Sequence, residues 1–199
     1  MSDLISALRR QGIYDPRVLA AMSTVPRDEF VPVIQKPFAW EDRPLPIGAG
    51  QTVSQPFIVA YTIQTLNLPP GSKVLDVGTG CGYQAAVLAT CGFRVHGIEL
   101  RPPLAEHARA TLTRLGYSDV PVTTGDGRLG LPDQAPFDGI VVAAASRDIP
   151  TALVAQLRTP GGRMVMPLGD YRQRLVLVEP DDPRPVVTDL LGVVFVPLL

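Results

Sequence analysis

Val74-Leu75-Asp76-Val77-Gly78-Thr79-Gly80-Cys81-Gly82-Tyr83 is the stretch that decides the fold. The apolar run Val74–Val77 has the length and β-richness of a buried strand. Gly78, Gly80 and Gly82 follow at alternate positions, making a tight turn where backbone can approach a ligand closely. Tyr83 through Ala89 then reads as a helix. Strand, glycine turn and helix in that order form the nucleotide-cradling unit of a doubly wound α/β domain.

The details select the nucleotide. A dinucleotide fingerprint needs G-x-G-x-x-G, and here the third glycine falls one residue early, with Tyr83 in its place. Asp76 lies two residues before the first glycine, where its carboxylate would repel a pyrophosphate. A cofactor with a sulfonium and an amino-acid ammonium would tolerate that carboxylate, which favours S-adenosylmethionine over NAD. The next strand, Arg94–Glu99, ends in an acid that can accept both ribose hydroxyls of an adenosine. The other reading of Glu99 is a strand-end acid capping the helix that follows, since Pro102 and Pro103 suit a first turn. The third strand, Val122-Thr123-Thr124, runs into Gly125-Asp126-Gly127, whose acid could accept from the adenine amino group. Alone, that loop would be read as a turn.

From Lys73 onward strands and helices alternate. Strands are expected at 73–78, 94–99, 121–125, 138–144 and 163–167, and helices at about 82–91, 101–115 and 150–158. The tail differs, with strands at 174–179 and 193–196 and no convincing helix between them. Alternation followed by a strand pair implies a mostly parallel sheet with an antiparallel edge. Upstream, Asp3–Gln11 has helical spacing and Gly12 stops it. Asp15-Pro16 is an N-cap followed by proline at the first helical position, opening a helix to about Ser23. Arg27–Val31 reads as a short helical turn. Pro44–Gly50 cannot be regular helix, and Gln55–Leu66 is a helix opened by Pro56. The first 70 residues are expected to form a helical cap with a substrate loop on the cofactor-binding core 71–199, all in one domain.

Composition narrows the function classes. The 199 residues suffice for one full core, and 46% hydrophobic with 19% charged residues is a globular balance. Formal net charge is −1 with no basic cluster, so the electrostatic footprint of a nucleic-acid binder is missing. No apolar run approaches the roughly eighteen residues of a membrane span. The start, Met1-Ser2-Asp3, predicts no signal peptide. Cys81 and Cys91 are the only cysteines and both fall in the cofactor unit, which fits a reducing cytoplasm. His96 reads as core or strand edge and His107 as helix surface; with no Cys/His cluster, no metal site is expected.

Gly50-Gln51-Thr52-Val53-Ser54-Gln55-Pro56 is the second strong signal. It reads as an irregular polar loop, and such loops carry function more often than packing. The plain alternative makes Ser54 an N-cap and Thr52 a turn residue. Together with Gly12-Ile13, Val25-Pro26-Arg27, Phe30-Val31, Trp40–Gly48, Gly125-Asp126-Gly127, Pro136-Phe137-Asp138 and Phe195–Leu198, this loop and the glycine turn resemble the protein-L-isoaspartate O-methyltransferase family, in order over nearly the whole chain.

The resemblance implies a Rossmann-like S-adenosylmethionine-dependent fold and methyl transfer to the displaced carboxylate of L-isoaspartyl residues in damaged proteins and peptides. The methyl ester then breaks down through a succinimide. It implies Ser54 as the active-site serine. Thr52, Val53, Ser54 and Gln55 would line the cofactor and substrate pocket. Glu99, Asp126 and Gly127 would hold the adenosine, and Asp76, Gly78, Thr79, Gly80, Gly82, Tyr83 and Leu100 complete the expected cofactor set. A monomer in the cytoplasm, acting on neither nucleic acid nor membrane, is expected. Three departures stand out. Cys81 replaces a usual serine, Ser146-Arg147 stands where prolines are usual, and the sequence stops at Leu199 where relatives often continue, putting any tail contact with substrate in question. The competing readings are a small-molecule O- or N-methyltransferase, which leaves the 50–56 loop unexplained, and a non-catalytic cofactor-binding module, which should have lost Ser54 or its loop.

Overall fold

A computed structural model describes residues 2–181 and 183–199. Its centre is a seven-stranded sheet built on β3 (Lys73–Val77), β4 (Arg94–Glu99), β5 (Val122–Thr124), β6 (Gly139–Val142), β7 (Arg163–Leu168), β8 (Gln173–Glu179) and β9 (Val186–Val193), in the spatial order β5-β4-β3-β6-β7-β8-β9. The first five strands run parallel, whereas β8 pairs antiparallel with β7 and with β9. Apart from Lys73, every residue of β3 and β6 is buried, as a parallel sheet covered on both faces requires. Alternate residues feed two cores. Val74, Val95, Val141 and Val165 pack with the helices α1 (Ser2–Arg10), α2 (Pro16–Thr24), α3 (Pro56–Leu66), α4 (Tyr83–Thr90) and α5 (Pro102–Arg114). Leu75, Val77, Ile140, Val142 and Met164 face the other way, onto Phe137, Leu157 and Leu153 of α6 (Thr151–Val154).

The N-terminal helices share the larger core: Leu4, Leu8, Met22 and Phe30 lie in one cluster with Val74 and Val87. Asp15 caps α2, its side chain accepting from the Arg17 N–H at 2.8 Å, with Pro16 as the first helical residue. Among the described residues no helix is long and apolar enough to cross a membrane.

Three local expectations are corrected. Residues 50–56 are not one irregular loop: Gln51–Val53 is a strand, β2, which forms an antiparallel hairpin with β1 (Leu45–Gly48). Its turn residues, Ala49 and Gly50, both have positive φ, 51° and 70°, the left-handed pair that a two-residue hairpin turn demands. The helix expected over 150–158 stops at Val154, because the next residues are taken by long-range bonds. Phe137 N–H donates to the Gln156 carbonyl, Arg158 N–H donates to the Phe137 carbonyl, and the Gln156 amide spans Leu129, Leu131 and Ala152. The last strand is Val186–Val193, not 193–196. Beyond Val193 the chain leaves the ladder. The Gln173 side chain then holds Phe195, accepting from its N–H at 2.6 Å and donating to its carbonyl at 3.1 Å.

Candidate active site

The glycine turn sits at the carboxyl end of β3, the edge of an open parallel sheet where ligands bind. Gly78 and Thr79 N–H groups both donate to the Ile98 carbonyl, at 2.8 and 3.2 Å, tying the turn to the neighbouring strand. Gly80 has φ +57°, and a Cβ there would meet Ile47 Cδ1 at 3.1 Å, so the hairpin closes down on bare backbone. Thr79 and Tyr83 are buried beside it.

Glu99, at the tip of β4, is 6% exposed. One carboxylate oxygen accepts from the Gly80 N–H and the other from the Arg101 N–H, both at 2.9 Å. Each oxygen keeps a second acceptor direction, and Glu99 lines the cleft. Asp76 lies beneath the turn, fully buried. Its Oδ1 accepts from Gln84 Nε2 at 2.7 Å, but its Oδ2 has no partner among the described residues. Burial pushes its pKa up to about 6. A cleft with a two-oxygen acceptor on one side and an unsatisfied carboxylate oxygen below fits a nucleoside carrying positive charge better than a pyrophosphate.

The wall of the cleft comes from the hairpin and the C-terminal segment. Ile47, Thr52, Val53 and Ser54 face Glu99, Leu100, Gly127 and Ala143, and Val196–Leu199 close the far side. Ala145 holds that segment in place: its N–H donates to the Val196 carbonyl at 2.8 Å and its carbonyl accepts from Leu198 N–H at 2.7 Å. A second, open groove runs alongside, lined by Pro44, Gln55, Ile58, Tyr171, Arg172, Gln173 and Gly192–Phe195. Thr52, Ser54, Ala143 and Val196 line both cavities. Ser54 is half-buried, and its hydroxyl makes no hydrogen bond among the described residues. It is not the cap of α3. Gln55 occupies the cap position without a side-chain bond, and Asp42 Oδ1 accepts from the Phe57 N–H at 2.8 Å instead.

Of the residues expected at the site, Thr52, Val53, Ser54, Gly78, Thr79, Gly80, Tyr83, Glu99, Leu100 and Gly127 come together around the cleft. Gln55 faces the groove, its Nε2 donating to Asp42 at 3.1 Å. Asp76 and Gly82 stand behind the lining. Asp126 turns away into a pair with Arg128, which holds its carboxyl below the usual carboxylate range. Cys81 is in the wall, its thiol pushed up to about 11 by burial and so neutral. Arg147 pairs with Asp170 at 2.9 Å and lines neither cavity. The sequence reading did not single out Ile47, Gln84, Arg101 or Ala143 for the cleft; their roles depend on tertiary approach and carry no local signal.

The fold and the cleft together define an S-adenosylmethionine-dependent methyltransferase. The model of the family described as protein-L-isoaspartate(D-aspartate) O-methyltransferase matches residues 1–199. The chain is 52% identical over 187 residues to protein-L-isoaspartate O-methyltransferase 2 of Syntrophobacter fumaroxidans, which covers 92% of this chain and 75% of the relative. A solved protein-L-isoaspartate O-methyltransferase superposes with a TM-score of 0.89 at 30% identity; the match covers 98% of this chain, which spans 65% of that longer one. A second, from Plasmodium falciparum and assigned the same activity, carries S-adenosyl-L-homocysteine; it superposes with a TM-score of 0.84 at 26% identity, over 99% and 97% of the two chains. This chain belongs to the protein-L-isoaspartate O-methyltransferase family.

Proposed function

We propose that this chain methylates the free carboxylate of L-isoaspartyl residues in damaged proteins and peptides, starting their repair through a succinimide, with Ser54 orienting the carboxylate. The observation that carries the reading is the shared wall. An unengaged serine hydroxyl stands where an enclosed cleft meets an open groove able to take a polypeptide. Glu99 accepts the ribose hydroxyls, Asp76 sits under the positively charged end, and Thr52, Val53, Gly78–Gly80, Tyr83, Leu100 and Gly127 surround the cofactor. Asp126 approaches the adenine only by releasing Arg128. Two free, buried cysteines suit a reducing cytoplasm, and one chain supplying both cavities suits a monomer.

Bound S-adenosylmethionine supplies a methyl group on a positively charged sulfur. The substrate carboxylate, with an ordinary pKa of about 3.9, is ionised at neutral pH and needs no general base. Ile47, Val196 and Leu198 keep the wall apolar. Charges that cancel during transfer lose little by such exclusion of water. Ser54 contributes alignment of the carboxylate with the methyl group, which is where most of the remaining acceleration lies.

The test is transfer of labelled methyl to paired peptides that differ only in one L-isoaspartyl or normal aspartyl residue. Base-labile ester on the isoaspartyl peptide, with little on its twin, is expected. Equal rates on both, or no ester, would overturn the assignment.

A further inference from the structure

Among the described residues Arg27 is the largest fully buried side chain, and its hydrogen bonds go to carbonyls and to no carboxylate. It stands on the 3-10 turn Arg27–Phe30, far from the cofactor turn in sequence. Its Nη1 donates to the Ala39 carbonyl at 2.6 Å. Its Nη2 donates to the carbonyls of Arg43 at 3.1 Å and Ser54 at 3.0 Å. Its Nε is buried with no partner, and the guanidinium lies 5.6 Å from the centroid of the Tyr83 ring. A buried charge is a poor way to fill a core, because a hydrophobic side chain of similar volume avoids the desolvation cost. What the guanidinium does that methionine cannot is present a planar fork that reaches three carbonyls at once, two in the connection before β1 and one after β2.

Asp42 holds the same corner from the other side. Its Oδ1 caps α3 through the Phe57 N–H, and its Oδ2 accepts from Gln55 Nε2 at 3.1 Å and Gln11 Nε2 at 2.9 Å. Ser54 and Gln55 lie between β2 and α3 and belong to neither. The helix holds Gln55 by its carbonyl, which accepts from the Val59 N–H at 3.1 Å, but Ser54 is held by the Arg27 guanidinium on its carbonyl.

We propose that Arg27 and Asp42 are positioning residues for methyl transfer, Arg27 pinning the Ser54 carbonyl and Asp42 the Gln55 side chain and the start of α3, so that the serine hydroxyl stands at the junction of the cleft and the groove. The inference rests on the role given to Ser54 above. It predicts a loss of alignment, not of binding, when either side chain is altered.

The experiment is a double-mutant cycle on the full chain. Arg27→Lys keeps the charge and loses the fork. Its kcat on an isoaspartyl peptide should fall by about ten- to a hundredfold, the scale of an ångström-sized misplacement. Peptide KM and cofactor Kd should move less than about threefold. In a Ser54→Ala background the same substitution should cost less than about threefold, because the group it positions is gone. A full repeated loss in that background, with Ser54→Ala itself impaired, overturns this inference alone; so does a loss explained by weaker cofactor binding. A Ser54→Ala enzyme at the wild-type rate overturns it together with the serine's assigned role. If Arg27→Lys does not fold by near-ultraviolet circular dichroism, Asp42→Asn, which keeps an acceptor for the Phe57 N–H, runs the same cycle with the same outcomes.

Discussion

Removing the Glu99 carboxylate separates the two roles its position allows. The side chain accepts one backbone N–H on each oxygen, from Gly80 and Arg101, and keeps one acceptor direction per oxygen for a ligand in the cleft. Arg101 is the cap residue of α5, so the Arg101 bond is a helix-end contact, and the proposed cofactor role falls to the free directions. A hydrogen bond to a charged group contributes about 1.5–3 kcal/mol. Losing the ribose bonds in Glu99→Ala should raise the dissociation constant for S-adenosylmethionine by roughly one to two powers of ten. Glu99→Gln should be nearly as weak. One end of the amide is a donor, so either the Gly80 or the Arg101 N–H would face a second N–H. Calorimetric titration with S-adenosylhomocysteine reads the affinity, and a melting curve reads the helix end. If Glu99 were only a cap, Glu99→Ala would cost about 0.5–2 kcal/mol of stability and leave the affinity unchanged. An unchanged dissociation constant in folded protein would refute the reasoning.

Two further outcomes follow from the same geometry. Ser54→Ala should lower kcat/KM on an isoaspartyl peptide by roughly 10- to 150-fold, the value of an orienting bond of about 1.5–3 kcal/mol, with cofactor affinity nearly intact and partial recovery in Ser54→Thr. Steady-state kinetics beside a binding isotherm check this, and a wild-type rate contradicts it. Asp76 has its pKa raised by burial to about 6, so the folded state holds the proton more tightly than the unfolded chain. Ligand-free stability should therefore fall as pH rises from about 4 through 6, by up to about 3 kcal/mol, relative to Asp76→Asn. Cofactor affinity should run the other way, weakening below about pH 6 as the carboxylate loses its charge. Parallel melting curves for the two proteins across that range would remove Asp76 from both effects.

The cofactor half of the site was legible because its determinants are local. Strand, glycine turn and helix are contiguous at 73–90, and the acid at the tip of β4 needs only the next strand to reach it. The mostly parallel sheet with an antiparallel edge followed from alternation for the same reason. What was illegible depends on chain segments meeting. Gly50–Pro56 looked like an irregular loop, yet the Leu45↔Val53 and Pro46↔Thr52 pairings put Gln51–Val53 in a hairpin. Val193–Val196 has the composition of a strand, but one glutamine side chain takes Phe195 out of the ladder and turns that apolar run into cleft wall. Asp126 between two glycines gave no hint that Arg128, two residues on, claims its carboxylate. Arg27 and Asp42 fall in stretches that carry the family resemblance, but nothing near them in sequence foretells a contact with Ser54, 27 residues beyond Arg27.

The placement of charge in this chain matches what the reaction consumes. Methyl transfer joins an anionic nucleophile to a cationic donor and leaves two neutral products, so a fixed charge at the reacting atoms would stabilise the reactants more than the transition state. The two acidic side chains proposed to serve the cofactor keep away from that point: Glu99 is engaged by two backbone N–H groups at a strand tip, and Asp76 lies beneath the glycine turn, outside the cleft lining. Arg27, the buried cation nearest the serine in hydrogen-bond terms, reaches only its carbonyl and points its charge into the core. Where the two cavities meet stand Thr52, Ser54, Ala143 and Val196, all uncharged. A neutral hydroxyl among small and apolar neighbours can align a carboxylate without holding it back, which is why a serine, and not a lysine or histidine, suits that position.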